Sequence, residues 1–166
     1  DHRDRSEAVR RRGVRTEFRV TMRAERGGAE RRRQDSGIHF HRESLQDTAS
    51  AISKEWILAN GIGGFASSTI LNINTRRYHS LLTAALPAPL GRIATISTAE
   101  EAIVVDGARY EISTHRYPEK WHPRGFENLD SFSLSPFPEW TFRLPPGVLR
   151  RTISLVHGEN TAILSF

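Results

Sequence analysis

The run Glu101-Ala102-Ile103-Val104-Val105-Asp106-Gly107-Ala108-Arg109-Tyr110-Glu111-Ile112 folds back on itself about its centre. Asp-Gly suits a two-residue type I′ turn, because both central residues of that turn need positive φ. Pairing across it sets Val105 opposite Ala108 and Ile103 opposite Tyr110. One face then carries Ile103, Val105, Tyr110 and Ile112, while Arg109 and Glu111 point the other way. The expectation is a β-hairpin with one buried face.

The same texture extends in both directions. Towards the C-terminus, Trp140, Phe142 and Leu144 alternate with Thr141 and Arg143 before Pro145-Pro146-Gly147 turns the chain. Leu149 to Val156 runs back, His157-Gly158-Glu159-Asn160 turns again, and Thr161 to Phe166 starts another strand. Towards the N-terminus, Ser68 to Ile73 and Tyr78 to Ala85 read as strands. No stretch sustains a 3.6-residue apolar period, so helix content should be low. Residues 51–166 are therefore expected to form an all-β, antiparallel β-sandwich, incomplete at the C-terminus because Phe166 stands inside an apolar strand.

Residues 1–50 differ. They hold 13 Arg and no Lys against 9 acidic residues, whereas residues 51–166 hold 11 basic and 10 acidic residues. Of the overall charge of +5, +4 (13 − 9) thus belongs to an Arg-rich leader and +1 (11 − 10) to the rest. The leader's apolar residues are scattered without period, so disorder is expected over 1–50. Arg10-Arg11-Arg12 and Arg31-Arg32-Arg33 are what a nucleic-acid arm would use, but the interspersed acids argue against that partner. With no cysteine, disulfides and thiolate metal sites are excluded and a cytoplasmic location is expected. No apolar run approaches the roughly 18 residues of a membrane span.

Several motifs invite chemical readings. Asn60-Gly61-Ile62-Gly63-Gly64-Phe65-Ala66 places Gly61, Gly63 and Ala66 in the loose dinucleotide pattern. That fingerprint needs a helix next, to hold the pyrophosphate on its N-terminus. The β-prone Ser67-Ser68-Thr69-Ile70-Leu71 follows instead, and no acidic residue lies between Glu55 and Glu100 to bind a ribose. A tight glycine turn remains, or a loop whose bare backbone admits a polar ligand. Asn74-Thr75-Arg76-Arg77-Tyr78-His79 gathers donors, acceptors and an aromatic, the mixture a sugar takes. The same residues also suit a turn entering a strand.

His115 to Gly125 reads as a long polar loop with two aromatics, lining a groove or meeting another domain. His115 and His122 lack partners at metal spacing, so neither a metal nor any other cofactor is expected. Glycosidic cleavage needs two carboxyl groups about 5 to 9.5 Å apart across the bond. Glu100 and Glu101 are adjacent and point to opposite faces, and Glu111, Asp130 and Glu139 offer no pair. No catalytic residue is assigned.

These motifs occur in a fixed order. It runs Glu55-Trp56, Asn60 to Ser67, Asn74 to His79, Leu86-Pro87-Ala88-Pro89, Glu100-Glu101 and Val105-Asp106-Gly107. Tyr117-Pro118, His122-Pro123-Arg124-Gly125, Pro136 to Trp140 and Val156 to Thr161 follow. The series resembles the N-terminal domain of bacterial and archaeal glycogen debranching enzymes of the amylo-α-1,6-glucosidase type, over roughly 53–166. The resemblance implies a β-sandwich related to the one preceding the catalytic domain of glucoamylases. It implies that the hydrolytic carboxylates lie on a following (α/α)₆ barrel, so that this chain alone should be inactive. Branched α-glucan and that barrel are then the expected partners. The residues expected at glucan or at the barrel interface are Asn60, Gly61, Gly63, Gly64, Asn74, Arg76, Arg77, Tyr78, His79, His122 and Arg124. A glucan-binding module without catalysis is the alternative.

Overall fold

The computed structural model describes residues 37–166. In chain order, β1 (Ile38–His41), α1 (Arg42–Gln46) and α2 (Thr48–Ala51) come first. Then follow β2 (Glu55–Ala59), β3 (Phe65–Thr69), β4 (Ser80–Ala85), β5 (Arg92–Ile96), β6 (Ala102–Val105) and β7 (Ala108–Glu111). β8 (Thr114–Arg116), β9 (Trp121–Arg124), a 3₁₀ turn (Gly125–Asn128), β10 (Leu129–Leu134), β11 (Pro138–Leu144), β12 (Gly147–Leu155) and β13 (Ala162–Ser165) complete the described chain.

Two antiparallel sheets make an all-β sandwich. One has the order β1-β10-β11-β12-β13 and the other β2-β3-β4-β5. The alternation in β11 explains the inner face of the first: Pro138, Trp140, Phe142 and Leu144 are buried while Arg143 faces solvent. Trp56 and Ala66 supply the facing side from β2 and β3, and Phe132 and Ile153 join the same cluster. Burying each large apolar side chain stabilises the fold by about 1.5–3 kcal/mol. Trp56 and Trp140 meet edge to face with ring centroids 5.6 Å apart, the geometry their ring quadrupoles favour.

Both indoles also donate to one turn. Trp56 Nε1 donates to the Thr69 carbonyl at 3.0 Å and Trp140 Nε1 to the Ile70 carbonyl at 2.7 Å. This is why β3 stops at Thr69 and not at the expected Ile73. The carbonyls that would continue a ladder are taken by side chains, Thr69 Oγ1 bonds both the N–H and the C=O of Ile73, and Asn72 sits at φ 56°. β4 likewise begins at Ser80 and not at Tyr78, because Asn74 to His79 close a loop on themselves.

The β6–β7 hairpin has the expected register, Val105 opposite Ala108 and Ile103 opposite Tyr110. Asp106 and Gly107 have φ of 50° and 79°, as a type I′ turn requires. It is a separate two-stranded ribbon, tied to the larger sheet by Glu101 at its base. Arg151 donates to Glu101 through Nε at 2.7 Å and Nη2 at 3.1 Å, and its guanidinium lies over Trp140, 4.7 Å from the ring centroid. Arg151 stands opposite Trp140 in the ladder, so this ion pair sits inside the sandwich.

Two expectations are corrected. The leader does not run to residue 50. Ile38 to His41 pair with Ser131 to Leu134, Leu45 and Ala51 are fully buried, and Arg42 donates to the Glu127 carbonyl at 2.8 Å. A short strand and two one-turn helices were hidden because four- and five-residue elements carry too few positions to show a period. The remainder of the expected leader lies outside the described residues. The segment from His115 to Gly125 is not an irregular loop: β8 and β9 pair within it, Thr114 opposite Arg124 and Arg116 opposite Trp121.

Candidate functional site

The glycine loop between β2 and β3 is built around one amide. Asn60 is fully buried, and its Oδ1 accepts from the N–H groups of Ile62 at 3.2 Å and Gly64 at 2.8 Å. Its Nδ2 donates to the Glu159 carbonyl at 2.8 Å and to Asn160 Oδ1 at 3.2 Å. Asn160 in turn holds Ala85 at the end of β4, donating to its carbonyl at 2.7 Å and accepting from its N–H at 2.9 Å. The backbone must come close for this to happen. A Cβ at Gly61 would run into the His157 ring, and one at Gly64 into the Asn60 amide. Asn60, Gly61 and Gly64 therefore fasten the β2–β3 connection to the β12–β13 turn.

The Asn74–His79 loop is ordered from within. Asn74 Oδ1 accepts from Ser68 Oγ at 2.9 Å and its Nδ2 donates to the Ser97 carbonyl at 3.0 Å. The Thr75 N–H donates to His79 Nδ1 at 3.1 Å. His79 is buried, with Nε2 3.6 Å from Glu55 Oε1. Arg76 donates from Nε to that same oxygen. Burial pushes the His79 imidazole below its ordinary value, outweighing the pull of Glu55. The hydrogen bond from Arg76 is the main cause holding the Glu55 carboxyl below the usual carboxylate range. Arg77 lies over the Tyr78 ring, 5.6 Å from its centroid.

The two loops come together at a groove of about 650 Å³ beside the β4–β5 end of the smaller sheet. Ile62 and Gly63 line one part of it, Tyr78 another, with Phe65, Ala85, Leu86 and Arg92 between. Tyr78 is 59% exposed and Ile62 49%, so a large aromatic face and an aliphatic edge are both open to a ligand. Arg92 is fixed at the margin by donating Nε to the Gly63 carbonyl at 2.8 Å. An aromatic face, an apolar floor and a planar donor are the chemistry that a neutral polyol, or a partner's mixed surface, would take.

Of the expected residues, Gly63 and Tyr78 line this groove. Asn60, Gly61 and Gly64 hold the glycine loop to which Ile62 and Gly63 belong, and Asn74, Arg76, Arg77 and His79 belong to the loop that carries Tyr78. His122 and Arg124 are placed elsewhere, on β9, where Arg124 pairs with Glu127 at 2.9 Å and lies over Phe126. Sequence reasoning passed over Arg92 and Asn160. Arg92 stands alone in an apolar strand with no motif around it. Asn160 looks like any turn residue until its partners, 75 and 100 residues away, are known.

Among the described residues no group of three or more His, Asp or Glu side chains could hold a metal ion. Glu100 and Glu101 diverge, the first to His115 at 2.5 Å and the second to Arg151, and so do not face one another across a substrate. No helix among the described residues is long and apolar enough to cross a membrane. A family model described as glycogen debranching enzyme N terminal matches residues 54–166. No curated protein and no solved structure matches the chain.

Proposed function

The chain belongs to the glycogen debranching enzyme N-terminal family, and from that premise we propose that its sandwich positions branched α-glucan for hydrolysis of α-1,6 branches by a catalytic domain elsewhere in the enzyme. The observation that carries this reading is the exposed Tyr78 ring facing a groove with a fixed Arg92 at its margin. Glucose rings present an apolar C–H face and a rim of hydroxyls. Stacking on Tyr78 would use the first, and hydrogen bonds from Arg92 the second. The domain supplies no catalytic carboxylates in this reading, and the cytoplasm, where glycogen is stored, is its proposed location.

The second reading makes the groove the seat of the catalytic domain. Ile62 and Leu90, 49% and 61% exposed, favour it, since an interdomain contact would cover both. Titration of the chain with maltoheptaose, followed by backbone amide shifts, separates the two. Glucan positioning predicts shifts at Gly63, Tyr78 and Arg92, lost in Tyr78→Ala with the rest of the spectrum unchanged. No shift at high maltoheptaose concentration would sink it and leave the interdomain reading.

A further inference from the structure

We propose that His79 is a proton-operated latch on the Asn74–Tyr78 loop. The neutral ring closes the loop by accepting from the Thr75 N–H, and the doubly protonated ring opens it and withdraws Tyr78 from the groove. Nδ1 accepts from the Thr75 N–H at 3.1 Å, so the neutral ring carries its proton on Nε2. That nitrogen faces the Glu55 carboxylate, 3.6 Å away.

A second proton has only one place to go, and there Nδ1–H would oppose the Thr75 N–H. Two donors cannot share the position, so the ring can be charged only if Thr75 moves away. The His79 side chain is 3% exposed, which denies a proton direct access while the loop is shut. Loop opening and proton uptake are therefore one event. Glu55 from β2 and Arg76 from the loop are the charged groups that act on the ring. Glu55 attracts the imidazolium, but its nearer oxygen is already engaged by the Arg76 guanidinium, whose charge repels it. The balance leaves the closed loop with a neutral histidine.

Tyr78 is the neighbour of His79 and lines the groove, so release of the loop moves the aromatic face of the site. The latch stands on the hydrogen-bond geometry, whereas its effect on glucan rests on the reading of the groove given above. The resulting device keeps the loop shut and Tyr78 in the groove at neutral pH, and releases both in acid.

The test is a pH titration of the full chain by NMR, from about pH 7.5 to about pH 5.5. It follows the His79 ring nitrogens together with the Thr75 and Tyr78 amides. His79 should show the Nε2–H tautomer at the upper pH. As it takes up its second proton, Thr75 should lose roughly tenfold in exchange protection, corrected for the intrinsic rate, while β11 and β12 keep theirs. His79→Asn, whose Oδ1 accepts from Thr75 without titrating, should hold both amides constant.

An Nδ1–H tautomer at the upper pH, a protonated ring with Thr75 still protected, or the same pH response in His79→Asn would overturn the latch. If that variant does not fold, the tautomer and the Thr75 protection of the unaltered chain decide by themselves. Maltoheptaose affinity over the same range isolates the second layer. No binding at either pH, with Thr75 responding, refutes the glucan reading and leaves the latch standing. Binding that does not change while Thr75 responds refutes the control of the groove.

Discussion

Asn60 and Asn160, 100 residues apart in sequence, share a 3.2 Å amide-to-amide hydrogen bond that joins the glycine loop of one sheet to the last turn of the other. The bond belongs to a chain running from the Gly64 N–H through both side chains to Ala85 at the end of β4. The buried Asn60 amide, satisfied on every side, specifies one arrangement, since any other leaves a polar atom dry. The groove depends on this arrangement, because Gly63 and Ala85 line it from the two ends of the chain of bonds.

Asn60→Asp is the sharpest probe of that link. It keeps the acceptor for Ile62 and Gly64 but puts a carboxylate oxygen where an N–H₂ group meets the Glu159 carbonyl at 2.8 Å. We expect a loss of about 2–4 kcal/mol, from two lost donors and an unpaired buried charge. Urea denaturation followed by tryptophan fluorescence measures it. A loss under about 0.5 kcal/mol would mean that the amide network does not hold the sheets together.

Glu101 and Arg151 are expected to behave asymmetrically. Their side chains are only 10% and 2% exposed, so Glu101→Leu strands a buried guanidinium and should cost about 3–5 kcal/mol. The double variant Glu101→Leu, Arg151→Met removes both charges and should recover most of that loss. Equal destabilisation of the single and double variants would contradict the importance of the pairing.

Trp140 combines packing with a directed bond. Trp140→Phe keeps an aromatic ring against Trp56 and Phe132 but leaves the Ile70 carbonyl, now bonded at 2.7 Å, without a donor. The expected loss is about 1–3 kcal/mol. Trp140→Ala should cost more, at least about 3–5 kcal/mol, because a cavity is added. Similar midpoints for the two would show that the indole N–H, and not the ring, dominates.

Stability should fall in acid in two separable stages. His79 is held below its ordinary value of 6.5, so the unfolded chain binds a proton that the folded chain refuses. Its contribution is complete above about pH 6.5 and is lost as pH falls through the lowered folded value. Glu55, held below its ordinary 4.5, contributes above that range and loses its share only as pH falls through its own lowered value. Denaturation midpoints measured between about pH 7 and pH 5 should decline, and His79→Asn should flatten that decline while keeping the later acid stage. A midpoint independent of pH across the first range would refute the assignment.

Features set by neighbouring residues were legible before any fold was known. Asp106-Gly107 specified a hairpin and its register, because few residues tolerate the two positive φ angles of a type I′ turn. The alternation through Trp140, Phe142 and Leu144 assigned the inner face of β11, because strand side chains point to opposite sides in turn. The ordered motifs identified the family. Which motif residues support and which are exposed followed from long-range packing alone. Asn60 became an interior fastening through Asn160, and Glu101 a core ion pair through Arg151. The same packing also decided that residues 38–51 belong to the sandwich. Partners fifty to a hundred residues away are chosen by packing and by the cost of leaving buried polar groups unpaired. Neither leaves a mark on the local pattern of residues.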